Sequence, residues 1–131
     1  MKKTSLKDLD LTASSEESYE FEYMPKGKPT GIFISVIGGQ SKKVLDWTMA
    51  ETNKIRKKEI QAQRRGKNQD AEPIENDLEY MIQSAAVRIV GWRGIDEPYN
   101  HENALELCRL NAVIRSQAIQ ESNEIANFTK I

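Results

Sequence analysis

The chain has 131 residues, 38% of them apolar and 30% charged, with a formal net charge of -1. A chain of this size is one domain and buries about two-thirds of its unfolded surface, so its core is modest and a second copy is expected to complete some apolar face. The balanced charge argues for neither a nucleic-acid nor a membrane partner. The lone Cys108 excludes an internal disulfide. No run approaches the length of a membrane span, and the start "MKKTSLKDLDLTASSEE" has no apolar core for a signal peptide. The expectation is a soluble cytoplasmic protein.

Residues 1–17 are mostly polar, with only Leu6, Leu9 and Leu11 offering an anchor, and read as an arm, partly disordered or folded against a neighbour. A single domain over 18–131 follows. In "SYEFEYM" Tyr19, Phe21 and Tyr23 alternate with Glu20 and Glu22, the period of a half-buried strand. "PKGKPTG" has turn composition, and "IFISVIG" (Ile32 to Gly38) is a β-branched run that pairs back on the first. The expected element is an antiparallel hairpin over 18–38, which must pack on helices to be stable.

The helical part spans 41–128. Ser41 is the expected N-cap of a helix carrying Val44, Trp47, Thr48 and Ile55. Beyond Ile55 the pattern dissolves into charge, so the second half should project into water. Between Asn53 and Lys67 seven basic residues stand against Glu59 alone, a local charge of +6, which leaves -7 for the rest of the chain. "GKNQDAEP" (Gly66 to Pro73) reads as a linker. Leu78, Met81, Ile82, Ala85, Ala86, Ile89 and Val90 then follow a helical template, led by Pro73, Glu75, Asp77 and Glu79 and ended by Gly91. Asn100 caps a helix with Ala104, Leu105, Leu107 and Cys108. Asn111 interrupts or caps, and a last helix carries Val113, Ile114, Ala118, Ile125 and Phe128. The predicted fold is mainly α, of α+β type: an N-terminal hairpin followed by about four helices.

No catalytic, cofactor or metal set emerges. His101 and Cys108 lie seven residues apart, about 10 Å along a helix, too far for a nucleophile pair and too few for a structural zinc site. "GGQSKK" lacks the spacing of a phosphate-cradling loop. An enzyme is not expected. The basic residues Lys54, Arg56, Lys57, Lys58, Arg64, Arg65 and Lys67 spread around a helix without interleaved aromatics, unlike a focused nucleic-acid face. They read as a solvated helix end, as an electrostatic contact with an acidic protein surface that includes another copy, or, less favoured, as a nucleic-acid site. In "GWRGIDEP", Gly91, Trp92, Gly94 and Pro98 read as a corner between two helices, and Arg93 as either part of it or a partner contact.

The segment from Met81 to Phe128, "MIQSAAVRIVGWRGIDEPYNHENALELCRLNAVIRSQAIQESNEIANF", resembles the tail assembly chaperones of long-tailed, non-contractile bacteriophages. The matching positions are Gly91-Trp92, Gly94-Ile95, Glu97-Pro98, Glu102 to Cys108, Asn111, Gln117 and Asn127-Phe128. The N-terminal hairpin and basic helix look like the family too, so the likeness covers most of the chain. The resemblance implies a non-enzymatic protein without cofactors, made in the cytoplasm of the infected host and absent from the mature virion. It implies a chaperone that self-associates, binds the tape-measure protein and keeps it soluble for tail-tube polymerisation. This chain would be the short form, with a longer frameshifted product recruiting the tail-tube protein. The competing expectations are a small nucleic-acid-associated regulator acting through 54–67, and a structural tail or head-completion protein.

Overall fold

The computed structural model describes residues 3–64 and 74–129. In chain order the elements are α1 (Leu11–Ser14), β1 (Tyr19–Glu22), β2 (Phe33–Val36), α2 (Lys42–Arg64), α3 (Ile74–Arg88), β3 (Ile89–Arg93), α4 (His101–Leu110) and α5 (Ala112–Asn123), with short 3-10 turns at Leu6–Leu9 and Ile125–Asn127. The architecture is α+β with helices predominating, as expected, and the hairpin of β1 and β2 precedes four of the five helices among the described residues. The expected linker, together with Arg65, Lys67 and Pro73, lies outside the described residues.

The alternation read from β1 is the one that forms. Tyr19 faces Val36 and Phe21 faces Ile34 across the hairpin, and Phe21, Ile34 and Val36 are buried against the helices. Glu20 and Glu22 lie on the opposite face. The core beneath the sheet is completed by Ile82, Ala85, Ala86 and Ile89, by Ala104 and Cys108, and by Ile114, Ala118 and Phe128. Three helices thus present small residues toward one another, which lets α3, α4 and α5 approach closely under a small sheet.

Two expectations are overturned, the first at the end of α3. The apolar stripe of α3 does not continue as helix to Gly91. Residues Ile89 to Arg93 form β3, antiparallel to β2, making a three-stranded sheet in the order β1-β2-β3. Gly91 therefore ends no helix: it sits inside β3 opposite Ser35. The cause is tertiary. The free edge of β2 offers hydrogen-bonding partners, and β-branched Ile89 and Val90 lose less in an extended backbone than in a helix. A short apolar run cannot distinguish these outcomes by period alone. The direction of the stripe also differs, because Leu78 and Met81 are exposed while Ile82, Ala85 and Ala86 form the buried side.

The N-terminal arm packs on its own chain. The carbonyl of Ser15 accepts from Gly38 N–H at 2.8 Å, and the Glu16 carboxylate accepts from Lys42 N–H at 2.7 Å. Glu16 thus caps the start of α2, the task expected of the Ser41 side chain. Ser41 is buried, accepts only through its carbonyl (from Leu45 N–H at 2.9 Å), and its hydroxyl has no partner among the described residues. The two remaining caps are as read: Asn100 accepts from Asn103 N–H at 2.8 Å and Asn111 from Ile114 N–H at 2.9 Å.

Candidate functional site

The segment Gly91 to Asn103 is a strand-to-helix corner. Trp92 leaves β3 toward the core, where its indole meets the Tyr99 ring edge-on at 5.3 Å. Its Nε1 donates to the Glu97 carbonyl at 2.9 Å. The Tyr99 hydroxyl donates to the Ile89 carbonyl at 2.8 Å, and the Asn103 amide donates to the Pro98 carbonyl at 2.9 Å. Partial burial raises the Tyr99 phenol above its ordinary pKa. Gly94 has φ +85°, and a Cβ there would collide with the Gly31 carbonyl oxygen. Gly91 differs: its φ is not positive, and a Cβ would meet nothing. The corner residues Trp92, Gly94 and Pro98 are held together, between a strand and α4.

Arg93 is engaged within its own sheet. Its guanidinium forms a two-point contact with Glu20, Nε to Oε2 at 3.2 Å and a terminal nitrogen to Oε1 at 2.9 Å. It also lies 3.7 Å above the Phe33 ring. The hydrogen bond to Arg93 holds the Glu20 carboxyl below its ordinary range, and the same contact raises Arg93. The group remains 63% exposed, so the pair marks an outward sheet face rather than a core clamp.

The basic residues of α2 divide into two sides. Lys54 pairs with Glu51 at 3.2 Å, and with Lys58 and Ile55 it faces α3. Together with Glu79, Tyr80 and Gln83 they line a cleft of about 220 Å³. Trp47 packs on Tyr80 at 5.3 Å between ring centroids, fixing α2 to α3 near its first half. Arg56, Lys57 and Arg64 are exposed, and none of them has an ion-pair partner among the described residues. Arg65 lies outside the described residues. The sequence candidates therefore do not converge. Arg93 sits on the sheet, and the α2 cations face in more than one direction.

A second surface escaped sequence reading. Trp92, Ile95, Leu107 and Leu110 line a groove of about 200 Å³ beside the corner, with Glu97 and Glu106 at its rim. Leu110 is 76% exposed, and both glutamates are exposed without a cation partner among the described residues. The signal was present as "ELCRL", where Leu107 and Leu110 stand three apart, but only the turn at 94–98 brings Trp92 and Ile95 beside them. Arg88 was also missed. It is buried at the end of α3 and donates to the Ser84 carbonyl at 2.7 Å and the Ser84 hydroxyl at 2.6 Å. Burial lowers its pKa.

His101 is exposed in the first turn of α4, and Cys108 is fully buried, its thiol pushed up to about 11 by burial. A thiol so placed is neither a ready nucleophile nor a metal ligand. Among the described residues no group of three or more His, Cys, Asp or Glu could hold a metal ion, and no helix is long and apolar enough to cross a membrane. No protein-family model matches the chain, and comparison with curated proteins and with solved structures found no match.

Proposed function

We infer that the protein is a tail assembly chaperone of the long-tailed, non-contractile phage type, acting by binding and without chemistry. The observation that carries this reading is the ordered set of positions from Gly91 to Phe128, which resembles that family and in the structure belongs to one connected unit. Trp92, Gly94 and Pro98 build the corner, Asn111 caps α5, and Asn127 bonds back to Glu121 through its carbonyl at 3.0 Å and its carboxylate at 2.8 Å. Phe128 is buried against Tyr19 at 6.3 Å, tying the last matched residue to the first strand.

The surface suits such a task. Met49, Ile55, Ile60, Tyr80, Leu110 and Val113 are all exposed, a large share of the bulky apolar side chains. Of these, Leu110 joins Trp92, Ile95 and Leu107 in one apolar groove, the kind of contiguous exposed surface that marks contact with other chains. A long helical tape-measure protein has apolar faces of its own to cover, and many weakly bound copies give a hold that tail-tube subunits can later displace. In this proposal the protein works in the host cytoplasm, leaves before the virion is complete, and meets the tail-tube protein through a longer product of the same gene.

The test is co-expression with helical fragments of the tape-measure protein from the same phage or prophage. The expected outcome is that fragments insoluble alone become soluble and co-purify with the chain. Fragments that stay insoluble would overturn this reading, and binding to short duplex or single-stranded probes with a steep salt slope would replace it with a nucleic-acid role. Detection of the chain in purified virions would favour a structural tail protein.

A further inference from the structure

We propose that copies of this chain join head to tail, the outward face of α2 in one copy seating in the acidic-rimmed groove beside Trp92 of the next. The inference deepens the functional reading above and rests on it only in expecting many copies. The surfaces themselves are read from charge and exposure.

At 3.6 residues per turn, Met49, Arg56, Ile60 and Arg64 fall within about a quarter of the α2 circumference. This stripe lies opposite the side formed by Glu51, Lys54, Ile55 and Lys58, which faces α3. It therefore points away from its own domain. Met49 is 64% and Ile60 50% exposed. Ile60 stands between Arg56 and Arg64, one helical turn from each, so the stripe presents an apolar centre flanked by two cations.

The groove has the inverse pattern. Trp92, Ile95, Leu107 and Leu110 supply an apolar floor, and Glu97 and Glu106 supply the rim. Ile60 matches the floor, and Arg56 and Arg64 match the two carboxylates. Guanidinium groups suit this role, because they pair with carboxylates in a fixed planar geometry. A second copy is the occupant this complementarity selects, since the local excess of +6 between Asn53 and Lys67 is balanced by -7 on the remainder of the same chain. The two patches differ from each other, so the contact is heterologous and propagates into a ring or an open helical array rather than stopping at a symmetric dimer.

Charge exchange tests the contact. The purified full chain is followed by sedimentation velocity across protein concentration at low and high salt. Concentration-dependent, salt-sensitive assembly is expected. Arg56→Glu with Arg64→Glu, and separately Glu97→Lys with Glu106→Lys, should each weaken association by about tenfold or more. All four positions are exposed, and circular dichroism verifies that each variant is folded. An equimolar mixture of the two double variants should regain association, because each acidic α2 then meets a basic groove and each basic α2 an acidic one. A strictly monomeric parent chain, assembly indifferent to both double variants, or a mixture that stays dissociated would each overturn the proposal. Loss of tape-measure binding with assembly intact would count against the functional reading alone.

Discussion

The indole Nε1 of Trp92 donates to the main-chain carbonyl of Glu97 at 2.9 Å, so a side chain on the last strand closes the turn by which the chain leaves the sheet. The same ring packs on Tyr99, whose hydroxyl returns to Ile89 at the start of that strand. Strand, turn and the approach to α4 are therefore one cooperative unit. Trp92→Ala should lower unfolding free energy by about 2–4 kcal/mol, as expected for truncating a partly buried aromatic. Trp92→Phe, which keeps most of the packing and loses the hydrogen bond, should cost about 1 kcal/mol. Urea denaturation of the two variants checks the order, and equal losses would contradict it.

The two glycines of the corner should behave oppositely. Gly94→Ala forces a side chain into a left-handed backbone and onto the Gly31 carbonyl, and is expected to cost about 1–3 kcal/mol or more. Gly91→Ala adds a methyl group to an open position in a strand, and should be neutral or stabilising by up to about 1 kcal/mol. Thermal melts of the pair distinguish a strand glycine from a helix-ending one, since a left-handed C-cap glycine would not tolerate alanine.

Glu20 and Arg93 give the acid limb of stability a defined component. The folded state holds the Glu20 carboxyl below its ordinary value of 4.5, chiefly through the hydrogen bond from Arg93. A carboxylate whose pKa falls on folding contributes stability that is complete above the unfolded value and is lost as pH falls through the folded one. Glu20→Gln should therefore lower stability by a constant amount above about pH 4.5 and flatten the profile below it. Because the pair is exposed, the difference should shrink in high salt. Denaturation midpoints across pH, at two ionic strengths, measure both effects.

Cys108 supplies the opposite sign at high pH. Its thiol is raised from 9.0 to about 11 by burial. A raised folded pKa means that the stability it carries is complete below 9.0 and declines as pH climbs toward about 11. A Cys108→Ala variant should lack that decline, at a cost in packing at neutral pH. In the native protein the thiol should react with an aromatic disulfide reagent only as fast as the core opens, and at once in denaturant. Rapid native labelling would contradict the burial of α4 against α3 and α5.

The local elements were legible because each depends on neighbours in sequence. Tyr19, Phe21, Ile34 and Val36 announce a two-sided hairpin by alternation, and the caps at Asn100 and Asn111 need only a polar side chain three residues before a free N–H. The buried positions Ala85, Ala86, Ala104, Cys108, Ile114 and Ala118 were all within the apolar stripes, although Leu78, Met81 and Val113 in the same stripes are exposed. Period alone does not say how wide a face its neighbours will cover.

What this chain determines by itself is the order of a hairpin and the helices that follow it, and that its basic charge is concentrated in one segment, because backbone propensity, alternation and composition act over a few residues. Tertiary structure alone decided that Ile89 to Arg93 leave the helix to complete a sheet, that Glu16 rather than Ser41 caps α2, and that Arg93 spends its charge on Glu20, 73 residues away. Each of these depends on a partner distant in sequence: a free strand edge, a neighbouring carboxylate, a facing ring. Local pattern carries no record of which distant group will arrive.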